Sequence, residues 1–428
     1  MKRALILGAV NIAVFCVVAE LVALGIFYYQ HGWLFYLDPY RPTLQRLQDT
    51  PGQGLTAVGL HPYFGPTHKP GIPFDLPPAL QTTEAGPPVS TNNFGFPSRY
   101  DYPFLKTNNR QFIVGIFGGS VGGYFCRIGV SRLEAELRQN AFFKNREIVT
   151  LCFSHEGYKQ PQQLLVLAYF LSIGQPFDMV INIDGFNEVA LGNINDTYGW
   201  DVSMPSHEHL DPLINLANQT TLTPAKLDAL YRITHGREQL NAIAERSNGT
   251  HFASVEFVLR HYYEYVQRRY QQELVNFDRL PSNPPSASLV HVTPKVRPRA
   301  GDAVFADIAA NWQASSVAMR QLLAARNVRY FHVLQPNQYY STRVFSEAER
   351  KVAFNDASPF KAGAQAGYPH LEKMLEPGAL NGVHIFDAER MPVYLDDCCH
   401  YTVAGNRLLA DFIARAVVGA ENHEGVRR

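Results

Sequence analysis

The chain of 428 residues predicts an α/β fold of three layers, α/β/α, around a mainly five-stranded parallel sheet. Two observations carry this. Five short apolar runs alternate with helical stretches, the pattern of buried parallel strands joined by βαβ crossovers. A glycine-rich turn, Gly118–Gly119–Ser120–Val121–Gly122, follows the first run and opens a helix. A helical insertion and an N-terminal membrane helix complete the expected architecture.

From the N-terminus, Lys2 and Arg3 precede an apolar run from Ala4 to about Phe27, broken only by Glu20. About 20 apolar residues cross a bilayer as a helix, and flanking cations stay cytoplasmic. Residues 1–37 are therefore expected to be a single-pass anchor, N-terminus inside, with the remainder extracytoplasmic, in the periplasm or at the cell surface. Tyr28, Tyr29, Trp33, Phe35 and Tyr36 supply an interfacial aromatic belt. The rival is a cleaved signal peptide with Val17 and Ala19 at its small positions; the apolar run continues past that point.

Residues 38–90 are rich in proline and glycine and carry no lasting period, which reads as an extended tether. The sheet domain is expected over 91–420. Its strands are Phe112–Phe117, Ile148–Phe153, Asp178–Ile183, Arg329–Leu334 and Val383–Phe386. Helices are expected at Ser131–Asn140, Gln162–Leu171, Ala303–Ala325 and Tyr368–Leu375. Between the third and fourth strands, residues 200–302 hold two helical stretches and a proline-rich connector. They read as an inserted hairpin, either a lid or wall over the site or a plain decoration.

Composition narrows the function. Hydrophobic residues are 46% and charged residues 18%, the formal net charge is zero, and no basic block appears, which argues against a nucleic-acid partner. Cys16, Cys126, Cys152, Cys398 and Cys399 show no metal spacing, and no metal is expected. The glycine turn lacks Gly-x-Gly-x-x-Gly and has no Gly-Lys-Ser/Thr, so no cofactor is expected. It does match Gly-x-Ser-x-Gly, with Ser120 where an open α/β sheet presents its ligands. A purely structural turn is the plain alternative.

A nucleophilic serine needs a base, and the base needs an orienting group. Near the other end, Asp397 precedes His400 by three residues, just before a helical pattern. Such a carboxylate would hold the imidazole's tautomer. Alternatively Asp396 and Asp397 are solvated loop charges and His400 a cap. His155 and His384 rank below His400 as bases. For the oxyanion, donors are expected from Ser120, Gly157 and Asn187, the last two following the second and third strands; each could instead only turn or cap the chain.

The stretches GIFGGSVGG, SHEGYKQPQQ, IDGFNEV and DDCCHYTVAGNRLLADFIA, in that order and setting, resemble the SGNH (GDSL-like) hydrolases. TNNFGFPS resembles the N-x-x-GF lead-in of their membrane-anchored members. The resemblance covers about Thr91 to Ala416, less the insertion. It implies Ser120 as nucleophile, His400 as general base and Asp397 as its orienter. It also implies an oxyanion hole of the Ser120 and Gly157 backbones with the Asn187 side chain. Gly119 departs from the family's aspartate, and Glu188 stands where an aspartate usually follows Asn187. In an α/β-hydrolase the serine would follow several strands and the acid would lie far from the histidine.

The resemblance implies ester chemistry through an acyl-serine on O-acyl, above all O-acetyl, groups of cell-envelope glycans. An O-acyltransferase on the same glycans, a lipase or thioesterase, and a non-catalytic envelope scaffold are the alternatives. The 12% aromatic content would suit sugar stacking, though core packing uses it equally.

Overall fold

The computed structural model describes residues 2–32, 34–37, 44, 57–82, 87–217, 222–281, 290–295 and 301–425. They form two compact units: Leu55–Ile214 with His291–Arg428, and Met1–Gly54 with Asn215–Val290.

The helices used below are α1 (Lys2–His31), α2 (Ser120–Ile128), α3 (Val130–Leu137), α4 (Gln162–Ser172) and α5 (Phe186–Thr197), then α6 (Pro224–Gly249), α7 (Ala253–Arg279), α8 (Ala303–Ala324), α9 (Lys361–Met374) and α10 (Val403–Gly425). Two antiparallel pairs come first among the strands: β1 (Val58–His61) with β2 (Gly65–His68), and β3 (Pro73–Phe74) with β4 (Val89–Ser90). The main sheet follows: β5 (Gln111–Gly118), β6 (Glu147–Ser154), β7 (Met179–Asp184), β8 (Arg329–Leu334) and β9 (Leu380–Asn381).

That sheet is parallel, in the order β6-β5-β7-β8-β9. Side chains alternate along each strand and divide two cores. Phe112, Val114 and Ile116 of β5 pack with Met179, Ile181 and Ile183 of β7 against α2, α5, α9 and α10. Ile113 and Phe117 join Val149, Leu151 and Phe153 of β6 against Val166, Leu167 and Phe170 of α4. All eight residues of β5 are buried, which is why the strand reads as a continuous apolar run. The chain leaves β5 toward β6 on one side and β7 on the other. The crevice outside the carboxyl ends of β5 and β7 is therefore the switch point where such sheets bind ligands.

Four expectations need correction. The fifth strand is Leu380–Asn381, not Val383–Phe386. Asn381 Oδ1 accepts the Val383 N–H at 3.1 Å, and Ile385 N–H bonds Gly382 O at 3.1 Å, so the apolar run is a turn packed inward. The proline-rich stretch is not an extended tether over its described residues. Its strands are only two to four residues long, too short to show a period. Phe64, Leu76 and Leu80 are buried against the sheet unit, and Gln162 Nε2 donates to Phe64 O at 3.0 Å. Residues 38–43, 45–56 and 83–86 of that expectation lie outside the described residues.

The insertion is also narrower than 200–302. Trp200 pairs with Pro294, and Asp201 N–H bonds Thr293 O at 2.9 Å, so both ends belong to the sheet unit. The hairpin of α6 and α7 instead folds with the N-terminal helix. Within that unit Ile6–Gln30 is long and apolar enough to cross a membrane. Phe35 leaves the expected aromatic belt: it is buried on Phe27, ring centroids 5.2 Å apart. The side chain of Trp33 lies outside the described residues.

Candidate active site

β5 delivers Ser120. The strand ends at Gly118, Gly119 is the N-cap, and Ser120 is the first residue of α2. The Ser120 N–H therefore belongs to the four at a helix start that lack an intrahelical acceptor. Its hydroxyl is half-buried and lies 2.7 Å from His400 Nε2. The Tyr124 ring, one turn further along α2, meets the imidazole edge-on at 4.8 Å.

The carboxylate on the other side of His400 is Asp396, not Asp397. Asp396 Oδ2 is 2.5 Å from His400 Nδ1. The turn chemistry explains the shift. Asp396 Oδ1 accepts the N–H groups of Cys398, Cys399 and His400 at 3.0, 3.1 and 3.3 Å, the Asx device that lets an aspartate fold its own following backbone. That leaves its second oxygen facing the ring. Asp397 contributes its carbonyl, which accepts Tyr339 OH at 2.7 Å. Burial pushes the Asp396 carboxyl up, but the bond and charge of His400, with the His400 and Cys398 N–H groups, outweigh it and hold it below the ordinary aspartate value.

The loop is clamped by the segment after β8. Asn337 Nδ2, Gln338 Nε2 and Tyr339 OH donate to the carbonyls of Cys398, Asp396 and Asp397. Upstream, the fully buried Arg343–Glu349 pair (2.7 Å) ties the chain further: Glu349 Oε1 accepts Val393 N–H at 2.7 Å and Arg343 donates to Met391 O at 2.6 Å. A side chain that must meet both Ser120 and Asp396 thus sits on backbone held at successive peptides.

β6 and β7 bring the remaining candidates. Gly157 sits in the turn after β6 with φ +73°, a conformation glycine adopts without penalty, and a Cβ there would run into the His209 ring at 2.4 Å. Asn187 is the second residue of α5, and its Nδ2 donates to Tyr158 O at 2.8 Å. Asn187 lies beside Gly119, the serine's neighbour: a Cβ on Gly119 would be 2.2 Å from Asn187 Nδ2, and 3.1 Å from the carbonyl of Tyr158, the residue after Gly157. Glycine at 119 is what leaves room for this amide. Glu188 acts structurally, accepting Gly185 N–H at 2.8 Å and Gln160 N–H at 2.9 Å.

The two other histidines have separate partners. His384 Nδ1 lies 2.8 Å from Asp387. His155 is buried, its Nδ1 bonded to Glu156 O at 2.9 Å, and burial takes it down to about 4. Glu156 also holds His68 at 2.9 Å, a pairing the sequence does not signal, since His68 comes from β2. The sequence does not signal Cys399 either: its thiol is buried in the same loop, 2.9 Å from Cys398 Sγ, and burial lifts it well above the ordinary value. Cys126 of α2 and Cys152 of β6 form a disulfide, which sequence alone leaves open. The TNNFGFPS lead-in is a turn: Asn92 Oδ1 caps the Phe94 and Phe96 N–H groups, and Phe96 is buried in the core.

No protein-family model and no curated protein matches the chain. Among solved structures it is similar to the lipase Lip_vut3 from a goat rumen metagenome, at 12% identity and TM-score 0.33, over 71% of this chain and 97% of that one. It is also similar to a protein described as an acylhydrolase from Bacteroides fragilis NCTC 9343, at 10% identity and TM-score 0.32, over 75% of this chain and 99% of that one. Neither likeness bears on mechanism; the side chains above do.

Proposed function

We propose that this protein is an SGNH-type serine ester hydrolase held at a membrane by its N-terminal helix, with the sheet unit outside the cytoplasm. The observation that carries the reading is the chain of contacts Ser120 Oγ–His400 Nε2–His400 Nδ1–Asp396, at 2.7 and 2.5 Å. That order lets an imidazole take the hydroxyl proton while a carboxylate steadies the resulting cation.

In this reading Ser120 Oγ attacks the ester carbonyl as its proton passes to His400 Nε2. The N–H groups of Ser120 and Gly157, with Asn187 Nδ2, receive the oxyanion. Collapse breaks the ester C–O bond, and the leaving alcohol takes the proton from His400. Water, activated by the same imidazole, then frees the acid and restores Ser120. The substrate class is O-acyl, foremost O-acetyl, groups of envelope glycans; this rests on the family resemblance and the expected placement outside the membrane. Transfer of the acyl group to a second glycan hydroxyl would use the same residues.

The test is turnover of p-nitrophenyl acetate and of longer-chain esters by the full chain and by Ser120→Ala. The reading expects acetyl preference and a loss of at least about 10³-fold in the variant. Equal, negligible rates in both proteins would instead indicate a scaffold, and preference for long chains a lipase.

A further inference from the structure

Glu20 lies within the apolar helix α1, where an uncompensated carboxylate is costly. It is not uncompensated. Its oxygens accept the backbone N–H groups of Ala253 at 2.7 Å and Ser254 at 3.0 Å, together with Ser254 Oγ and Tyr36 OH, each at 2.5 Å. The first of these are the orphan donors at the start of α7, so an acid of the anchor helix caps a helix more than two hundred residues later. Ala253 packs with Ala23, Phe27 and Phe35, and Phe257 and Leu24 join the same cluster. One helical turn along α7 thus matches one turn along α1 toward its C-terminus.

This fixes a depth. A hydrocarbon layer of about 30 Å takes about 20 helical residues, which, counted from Ile6 at the start of the apolar span, end near residue 25. At about 1.5 Å per residue, Glu20 lies about 8 Å inside that boundary. The turn between α6 and α7, pinned to Glu20, must lie at the same level. Its α7 side suits that position: Phe252, Val255 and Val258 are 57%, 42% and 64% exposed, while the exposed polar residues Glu245, Arg246 and His251 stand at the end of α6 and in the turn. The charged residue between Val255 and Val258, Glu256, is buried and bonded to Arg260 Nε at 2.6 Å. Further up the same face stand the half-exposed rings of Tyr262 and Tyr265, the residue type that favours headgroups.

We propose that the tip of the α6–α7 hairpin is a lipid-binding element. Phe252, Val255 and Val258 enter the acyl–headgroup boundary of the outer leaflet, and the Glu20 carboxylate holds them there. An apolar helix face buried about 5–10 Å is the usual geometry of such elements. The proposal rests on α1 spanning the bilayer and is independent of the ester chemistry.

The experiment uses the full chain in phosphatidylcholine vesicles whose acyl chains are brominated near the headgroup. Phe252→Trp, with Val255→Trp as a second reporter, is compared with the parent chain by difference emission. Bromolipid should quench the added emission at least twofold and aqueous iodide should not, whereas Val275→Trp, about six turns along α7, should show the reverse. Glu20→Leu in the Phe252→Trp background should at least halve the lipid quenching. Emission quenched by iodide and untouched by bromolipid overturns the tip; quenching unchanged by Glu20→Leu overturns the clamp. Alkaline extraction separates the premise: a chain released from the vesicles fails the span and the tip together, and one that stays tests the tip alone.

Discussion

Asp396 and His400 are joined twice, by a 2.5 Å contact between carboxylate and ring and by a 3.3 Å bond from the His400 N–H to the other carboxylate oxygen. One side chain therefore shapes the turn and orients the imidazole. Asp396→Asn should cost about 10³–10⁴-fold in kcat, because an amide donor at this position favours the wrong tautomer. Asp397→Asn, which leaves the Tyr339–carbonyl bond intact, should stay within about twofold. Steady-state kinetics on the two variants check the pair, and a reversed outcome restores Asp397.

The space beside Gly119 gives a second expectation. Asn187→Ala removes a proposed oxyanion donor and should cost about 10²–10³-fold in kcat with KM little changed. Gly119→Ala places a methyl where the amide nitrogen now sits. It should reproduce most of that loss while lowering stability by about 1–3 kcal/mol. Kinetics with a parallel urea titration distinguish displacement of the amide from general unfolding.

His155 links stability to pH. Burial lowers it to about 4, while Glu156 pulls the other way and His68 and His209 add to the lowering. An unfolded histidine titrates near about 6.5. Between those values the unfolded chain binds a proton the folded one refuses, so stability falls as pH drops through the window and levels off below it. From pH 7 to pH 5 this costs about 2 kcal/mol. His155→Phe, which keeps a ring against Tyr158, should lose that much less over the same range in denaturant titrations.

The Cys126–Cys152 disulfide closes a loop with a sequence separation of 26 across the start of the site. Chain-entropy arguments assign such a loop about 3–4 kcal/mol. Cys126→Ser or Cys152→Ser should lower Tm, and a reducing agent should do the same to the parent chain but not to either variant.

Much of the architecture was legible because it depends on local pattern. Four main strands and the helices Gln162–Ser172 and Ala303–Ala324 fall within a residue or two of the positions their apolar runs predict. β9 was missed because a two-residue strand has no period, and the small sheets of Val58–Ser90 for the same reason. Ser120, Asn187 and His400 stood out because each follows a strand or precedes a helix with a distinctive neighbour. Their adjacency, across a separation of 280 residues for Ser120 and His400, was only an inference from order.

What sequence determined alone is four of the five strands of the main sheet, their parallel sense and the apolar helix at the N-terminus, since buried faces and hydrophobic length are written in residue spacing. What tertiary structure decided is which polar groups meet. Two aspartates stand side by side in the chain, and only an Asx turn directs one of them, Asp396, at the ring. The partners of Glu20 and His68 come from distant segments, for no local spacing encodes where a folded chain returns.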